Sequence, residues 1–185
     1  KQVKDKIVGR PIRCNRQTLR FKGEYCDVMF IGDVHLGSPQ CDKTRFKNML
    51  DYCLKHNLYI VLMGDLLEMA TRHSVGAGVY EQEFPGQTQY EQMLELLRPL
   101  AKKKLILGTH SGNHCDRIYK ESGVNVAKAL ARELEIPFLG ASCWSEFRVG
   151  TQIYTIYSLH GATGSRFDGT ALLAVERIST SFFCD

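Results

Sequence analysis

The chain has 185 residues, 44% of them apolar and 24% charged, with a net charge of +4, which suits one soluble globular domain with a real core. No apolar run approaches the roughly 18 residues of a membrane span, and the charged opening lacks the apolar stretch of a signal peptide. Seven widely spaced cysteines without a Cys-x-x-Cys pair argue against a disulfide framework and a cysteine-type zinc knuckle, so a reducing cytoplasm is the expected setting.

Residues 1–24 form a basic arm. Lys1, Lys4, Lys6, Arg10, Arg13, Arg16, Arg20 and Lys22 face only Asp5 and Glu24, giving the arm +6 and leaving −2 for the rest. Such a run is expected to be a solvated terminus, and it can also hold a phosphate backbone. Residues 25–185 then form one domain. Residues 27–32 read as a buried strand ending in Gly-Asp. Residues 42–55 read as a helix capped by Asp42, with Phe46, Met49, Leu50, Cys53 and Leu54 on one stripe. Residues 58–63 are a second apolar strand, again followed by Gly-Asp. Residues 72–87, with three glycines and Pro85, predict a long loop of the kind that often carries function.

Further along, a helix is expected over 90–97, stopping near Pro99, and a short strand over 105–107. Residues 122–134 predict a helix with Ser122 as its cap. Residues 144–149 and 152–159 predict a hairpin turning at Gly150-Thr151, and residues 170–180 a last helix. Strands alternating with helices, then a late hairpin, argue an α/β fold.

The chemistry lies where the predicted strands end. The first ends Gly32-Asp33-Val34-His35, the second Gly64-Asp65-Leu66-Leu67-Glu68. The third leads into Gly112-Asn113-His114-Cys115-Asp116, and the hairpin ends in His160-Gly161. In α/β sheets ligands gather outside the carboxyl ends of strands, so these four stretches are expected to meet at one rim. Each piece alone has an ordinary structural explanation; their joint occurrence, in order and each after a strand, does not.

Over residues 33–160 this series resembles the calcineurin-like metallophosphoesterase superfamily, whose pattern is Asp-x-His, Gly-Asp-x-x-Asp/Glu, Gly-Asn-His-Asp/Glu, a His, then Gly-His-x-His. The resemblance implies a four-layer α/β/β/α sandwich and two divalent metal ions. It implies that Asp33 and His35 bind the first metal, that Asp65 bridges both, and that Asn113 and His160 bind the second. His114 would be the general acid or a transition-state stabiliser, with Glu68 orienting it. A shell of Asp, His and Asn without thiolate suits Mn²⁺ first, with Fe²⁺ or Zn²⁺ as alternatives. Two dications against two carboxylates and a hydroxide leave the site positive, which attracts an anionic ester.

Three departures bear on the resemblance. Cys115 stands where the family has an acid, with Asp116 one later. His110 is an extra candidate ligand, with a surface histidine as the plainer reading. No Gly-His-x-His occurs up to Asp185; in the family it gives one ligand to each metal, so the shell is incomplete here and the natural chain is expected to continue to it.

Met69 stands where the protein phosphatases of the superfamily carry a phosphate-clamping arginine, which disfavours that substrate class. The expected function is a metal-dependent phosphoesterase acting on phosphodiester bonds, with nucleic acid favoured by the basic arm. Arg72, His73, Tyr80 and Arg117 are candidates to grip phosphate or stack a base. The alternatives are a small-molecule phosphatase or cyclic-nucleotide phosphodiesterase, and a non-catalytic scaffold subunit.

Overall fold

A computed structural model describes residues 14–74, 79–161 and 168–180. Residues 1–13 of the expected arm and 75–78 of the expected loop lie outside the described residues. The described chain is mixed α/β, with two sheets and five helices.

The first sheet is all parallel and singly wound. Strand β2 (Val28–Ile31) leads through α1 (Lys43–His56) to β3 (Tyr59–Leu62). Helix α2 (Gly86–Lys102) leads to β4 (Ile106–His110), and α3 (Asn113–Ser122) and α4 (Val126–Glu133) lead to β5 (Phe138–Gly140). The strands lie in the order β2-β3-β4-β5. Parallel strands need such crossovers, and they bury both sheet faces.

One face of this sheet meets the helices: Phe46, Leu50, Met93, Leu97, Leu100 and Leu130 pack with Ile31, Ile60, Leu62 and Ile106. The other face meets the second sheet, where Val61, Leu107 and Leu139 join Cys143 and Phe147. The second sheet has the order β1-β6-β7, from β1 (Asn15–Phe21), β6 (Ser142–Val149) and β7 (Gln152–Leu159). Strand β6 pairs parallel with β1 and antiparallel with β7. Helix α5 (Asp168–Thr180) follows.

Two local expectations hold. Asp42 caps α1 through the Arg45 N–H at 2.8 Å, and the hairpin turns between Val149 and Gln152. The six described cysteines are free. No helix among the described residues is long and apolar enough to cross a membrane.

Others are corrected. Residues 15–21 of the expected solvated arm form β1: Gln17, Leu19 and Phe21 alternate inward, and Phe21 packs on Tyr59 and Phe147. Helix α2 starts at Gly86 and runs through Pro99. Pro99 and Glu95 are on its exposed side, where water can serve the carbonyl that proline leaves unpaired, while Leu97 and Leu100 hold the last turns in the core. Ser122 ends α3 and does not begin a helix; Asn125 caps α4 through the Lys128 N–H at 2.8 Å.

Candidate metal centre

Strands β2, β3 and β4 point their carboxyl ends the same way, and β7 delivers His160 to that rim. The stretches following β2 and β3 lie side by side. The Asp33 N–H donates to Gly64 O (3.1 Å), His35 N–H to Asp65 O (3.0 Å), and Glu68 N–H back to Leu36 O (3.0 Å). Leu36, Leu66 and Leu67 are buried and fix this pairing in the core. Asp33, His35 and Asp65 all have left-handed backbones, with φ of 53°, 51° and 46°. Non-glycine residues reach that region at a cost of roughly 1–3 kcal/mol each, and such outliers cluster at functional sites.

Asp65 is the hub. It is 2% exposed. Its Oδ1 accepts the backbone N–H of His114 at 2.9 Å, and its Oδ2 lies 3.2 Å from His160 Nε2 and 3.9 Å from His114 Nε2. Gly112 permits this approach, since a Cβ there would fall 2.0 Å from Asp65 Oδ1. Burial pushes the Asp65 carboxyl up. The hydrogen bonds from His160 and the His114 N–H, with the charges of both imidazoles, outweigh burial and leave it below the ordinary carboxylate value.

The three histidines are oriented alike. His35 Nδ1 lies 3.1 Å from Glu68 Oε2, His114 Nδ1 2.6 Å from the Glu68 carbonyl, and His160 Nδ1 2.8 Å from the Met63 carbonyl. Only oxygen acceptors face these nitrogens, so each Nδ1 carries the proton and donates, and each Nε2 turns toward the carboxylates. Metal-binding histidines are held in this way. His35 Nε2 is 3.7 Å from Asp33 Oδ1, and His160 Nε2 is 3.0 Å from Asn113 Oδ1. Its hydrogen bond to Asp65 lifts the His160 pKa above the ordinary value against the effect of burial. Burial lowers that of His114, opposed by the Glu68 carbonyl and by Asp65.

All seven residues expected to form the site are therefore together. Ligand atoms of Asp33, His35 and Asp65 lie within 4.8 Å of one another, as do those of His35, Glu68 and His114. Asp65, Asn113 and His160 make a third meeting point, at His160 Nε2. If that nitrogen were unprotonated, its lone pair would face two oxygens, so the cluster calls for a proton or a cation. The donors are imidazole, carboxylate and amide oxygen, which fits Mn²⁺, Fe²⁺ or Zn²⁺. Cys115 is buried and its thiol pushed up by burial, so it adds no thiolate.

Glu68 differs from expectation in one respect: its backbone carbonyl holds His114, and its carboxylate holds His35. His110 is neither a ligand nor a surface group. It is fully buried in β4, with Nδ1 on the Gly140 carbonyl at 3.1 Å and Nε2 2.8 Å from Ser158 Oγ, tying the two sheets together below the rim.

The substrate candidates separate. Arg72, His73 and Tyr80 are exposed. Arg117 is half-buried, donates from Nη1 to Ser74 Oγ at 2.8 Å, and adds to the depression of the His114 pKa. Glu81 lines a cleft of about 530 Å³ with Asp33, His35, Glu68, Ser38 and Gln40; an exposed glutamate in a loop carries no sequence signal of that placement. The segment that follows Glu81 is pinned. Gln89 accepts the Met69 N–H and donates to Gln82 and Phe84 O, and Gln82 accepts the Ala70 N–H.

No protein-family model matches this chain, and no curated protein matches it.

Proposed function

We propose that the chain is a phosphoesterase dependent on two divalent cations, that it cleaves phosphodiester bonds, and that nucleic acid is its substrate. One observation carries this reading: Asp33, His35, Asp65, Asn113 and His160, drawn from four distant stretches, meet at one rim with every histidine Nε2 turned inward. The same residues carry the resemblance to the calcineurin-like metallophosphoesterases, and with that reading goes a four-layer α/β/β/α sandwich.

In this proposal Asp33 and His35 hold one ion, Asn113 and His160 the other, and Asp65 both, with Mn²⁺ the favoured ion. Such a pair supplies charge neutralisation for the ester and a more acidic water. Glu68 fixes His35 through its carboxylate and His114 through its carbonyl. His114 starts neutral, because burial lowers its pKa. The anionic ester favours its protonated form, which then donates from Nε2 to the leaving oxygen. Glu81 beside the cleft opposes a dianionic monoester more than a monoanionic diester, which supports diester substrates.

The test is hydrolysis with Mn²⁺ of bis(p-nitrophenyl) phosphate, p-nitrophenyl phosphate and a single-stranded oligonucleotide. Diester cleavage that EDTA abolishes is expected. Cleavage of the monoester alone would overturn the diester reading in favour of a small-molecule phosphatase. No hydrolysis and no Mn²⁺ binding by calorimetry would favour a scaffold.

A further inference from the structure

Strand β1 turns part of the basic N-terminal segment into an ordered surface. Its inward positions, Gln17, Leu19 and Phe21, are half-buried, and its outward positions, Arg16, Thr18 and Arg20, are exposed. Among the described residues β1 is the edge of its sheet. Its register sets Arg16 beside Trp144, Thr18 beside Glu146 and Arg20 beside Arg148. Glu146 is already engaged, at 2.5 Å, by Arg148 on its own strand. Arg16 and Arg20 have no carboxylate partner among the described residues, so two positive charges stand uncompensated on this face.

The strand starts at the rim. Asn15 lies against Gly140, where an added Cβ would come within 2.8 Å of Asn15 Nδ2, and the Gly140 carbonyl accepts the Ser111 N–H at 2.9 Å, directly before Gly112. Across the sheet, Arg16 is level with Trp144 and Tyr157, three residues short of His160. At about 3.3 Å per residue and about 4.8 Å per strand, Arg16 lies roughly 14 Å from His160 and Arg20 roughly 25 Å. Both spacings suit contacts a few nucleotides from a bond held at the centre.

We propose that the outward face of β1 is a track for the backbone of a single-stranded nucleic acid, with Arg16 and Arg20 each neutralising a phosphate beyond the scissile one. This rests on the diesterase reading for its direction toward the metal centre. Charged side chains also guard exposed strand edges against pairing. Glutamate keeps that protection and reverses the attraction, so it separates the two roles.

The experiment compares wild type with the Arg16→Glu/Arg20→Glu variant of the full chain. Binding of a fluorescent single-stranded oligonucleotide is read by anisotropy in EDTA across a salt series, and hydrolysis of bis(p-nitrophenyl) phosphate is read with Mn²⁺. Losing two phosphate contacts is expected to flatten the slope of log K against log salt by about 1.4 and to weaken binding roughly tenfold at physiological salt. Small-diester hydrolysis is expected to stay unchanged. Unaltered affinity and slope in a folded variant would overturn the track while leaving the diesterase reading intact. Wild-type binding to anionic phospholipid vesicles but not to the oligonucleotide would also overturn it. If wild type hydrolyses no ester yet the slope flattens, the diesterase reading fails and the track stands as a binding surface.

Discussion

His160 Nε2 lies 3.2 Å from Asp65 Oδ2, while the other nitrogen of the same ring is tied to the Met63 carbonyl at 2.8 Å. The ring cannot turn away without losing that bond, so the Nε2 must face the carboxylate. With Asp65 held below its ordinary pKa and His160 above, the pair shares a proton when no cation is bound. A cation bound at this point would replace that proton, as metal binding to histidine and carboxylate generally does.

Asp65 touches both halves of the cluster, whereas His35 touches one. Asp65→Asn is therefore expected to lower Mn²⁺ affinity more than His35→Ala, by well over the roughly 10–100-fold typical of losing a supporting residue. Calorimetric titration of both variants checks this; equal losses would contradict a shared carboxylate.

His114→Ala is expected to keep Mn²⁺ binding and lose about 10²–10⁴-fold in turnover, the usual cost of a missing general acid. Because ligand atoms of His114, His35 and Glu68 approach within 4.8 Å of one another, the opposite result has a clear meaning. A variant that no longer binds Mn²⁺ would make His114 a ligand.

The two glycines flanking α3 give a matched pair. Gly112 has φ −113°, which any residue adopts, but a Cβ would collide with Asp65. Gly123 has φ +73° and open space around its Cβ position. Gly112→Ala is expected to cost about 1–3 kcal/mol through overpacking and to abolish Mn²⁺ binding. Gly123→Ala is expected to cost about 1–2 kcal/mol through backbone strain and to bind Mn²⁺ normally. Thermal denaturation and calorimetry on both variants check this.

His110 offers a pH signature. Burial holds its folded pKa below the ordinary histidine value, with the Gly140 carbonyl opposing and His160 reinforcing. As pH falls through about 6.5 the unfolded chain takes up the proton first, so stability declines until pH passes below the folded value. His110→Gln, compared with wild type in EDTA, is expected to lack this acid-side decline. Urea denaturation at intervals between pH 7.5 and 5 reads it; parallel profiles would show that His110 does not titrate on unfolding.

The parts legible in the sequence were local. Short apolar runs ending in Gly-Asp mark β2 and β3, Asp42 marks the start of α1, and Gly150 marks the hairpin. The rim residues were legible because each follows a strand end. What escaped depends on partners far away in the chain. β1 hides its inward alternation among arginines, and it is ordered by β6, to which Asn15 pairs at Cys143. α3 begins at the rim residue Asn113 behind Gly112, which offers no side-chain cap, so no capping signal announced it. The burial of His110 depends on Gly140 and Ser158, and the Glu68 carbonyl that holds His114 belongs to the backbone, which no residue type advertises.

The most direct measurement is anomalous diffraction at the manganese edge from crystals of the chain equilibrated with Mn²⁺. Two peaks roughly 3.5–4 Å apart are expected, with the Asp65 carboxylate between them, Asp33 and His35 beside one, and Asn113 and His160 beside the other. No peak at this rim, or a peak elsewhere that leaves Asp65 and His160 in direct contact, would contradict it.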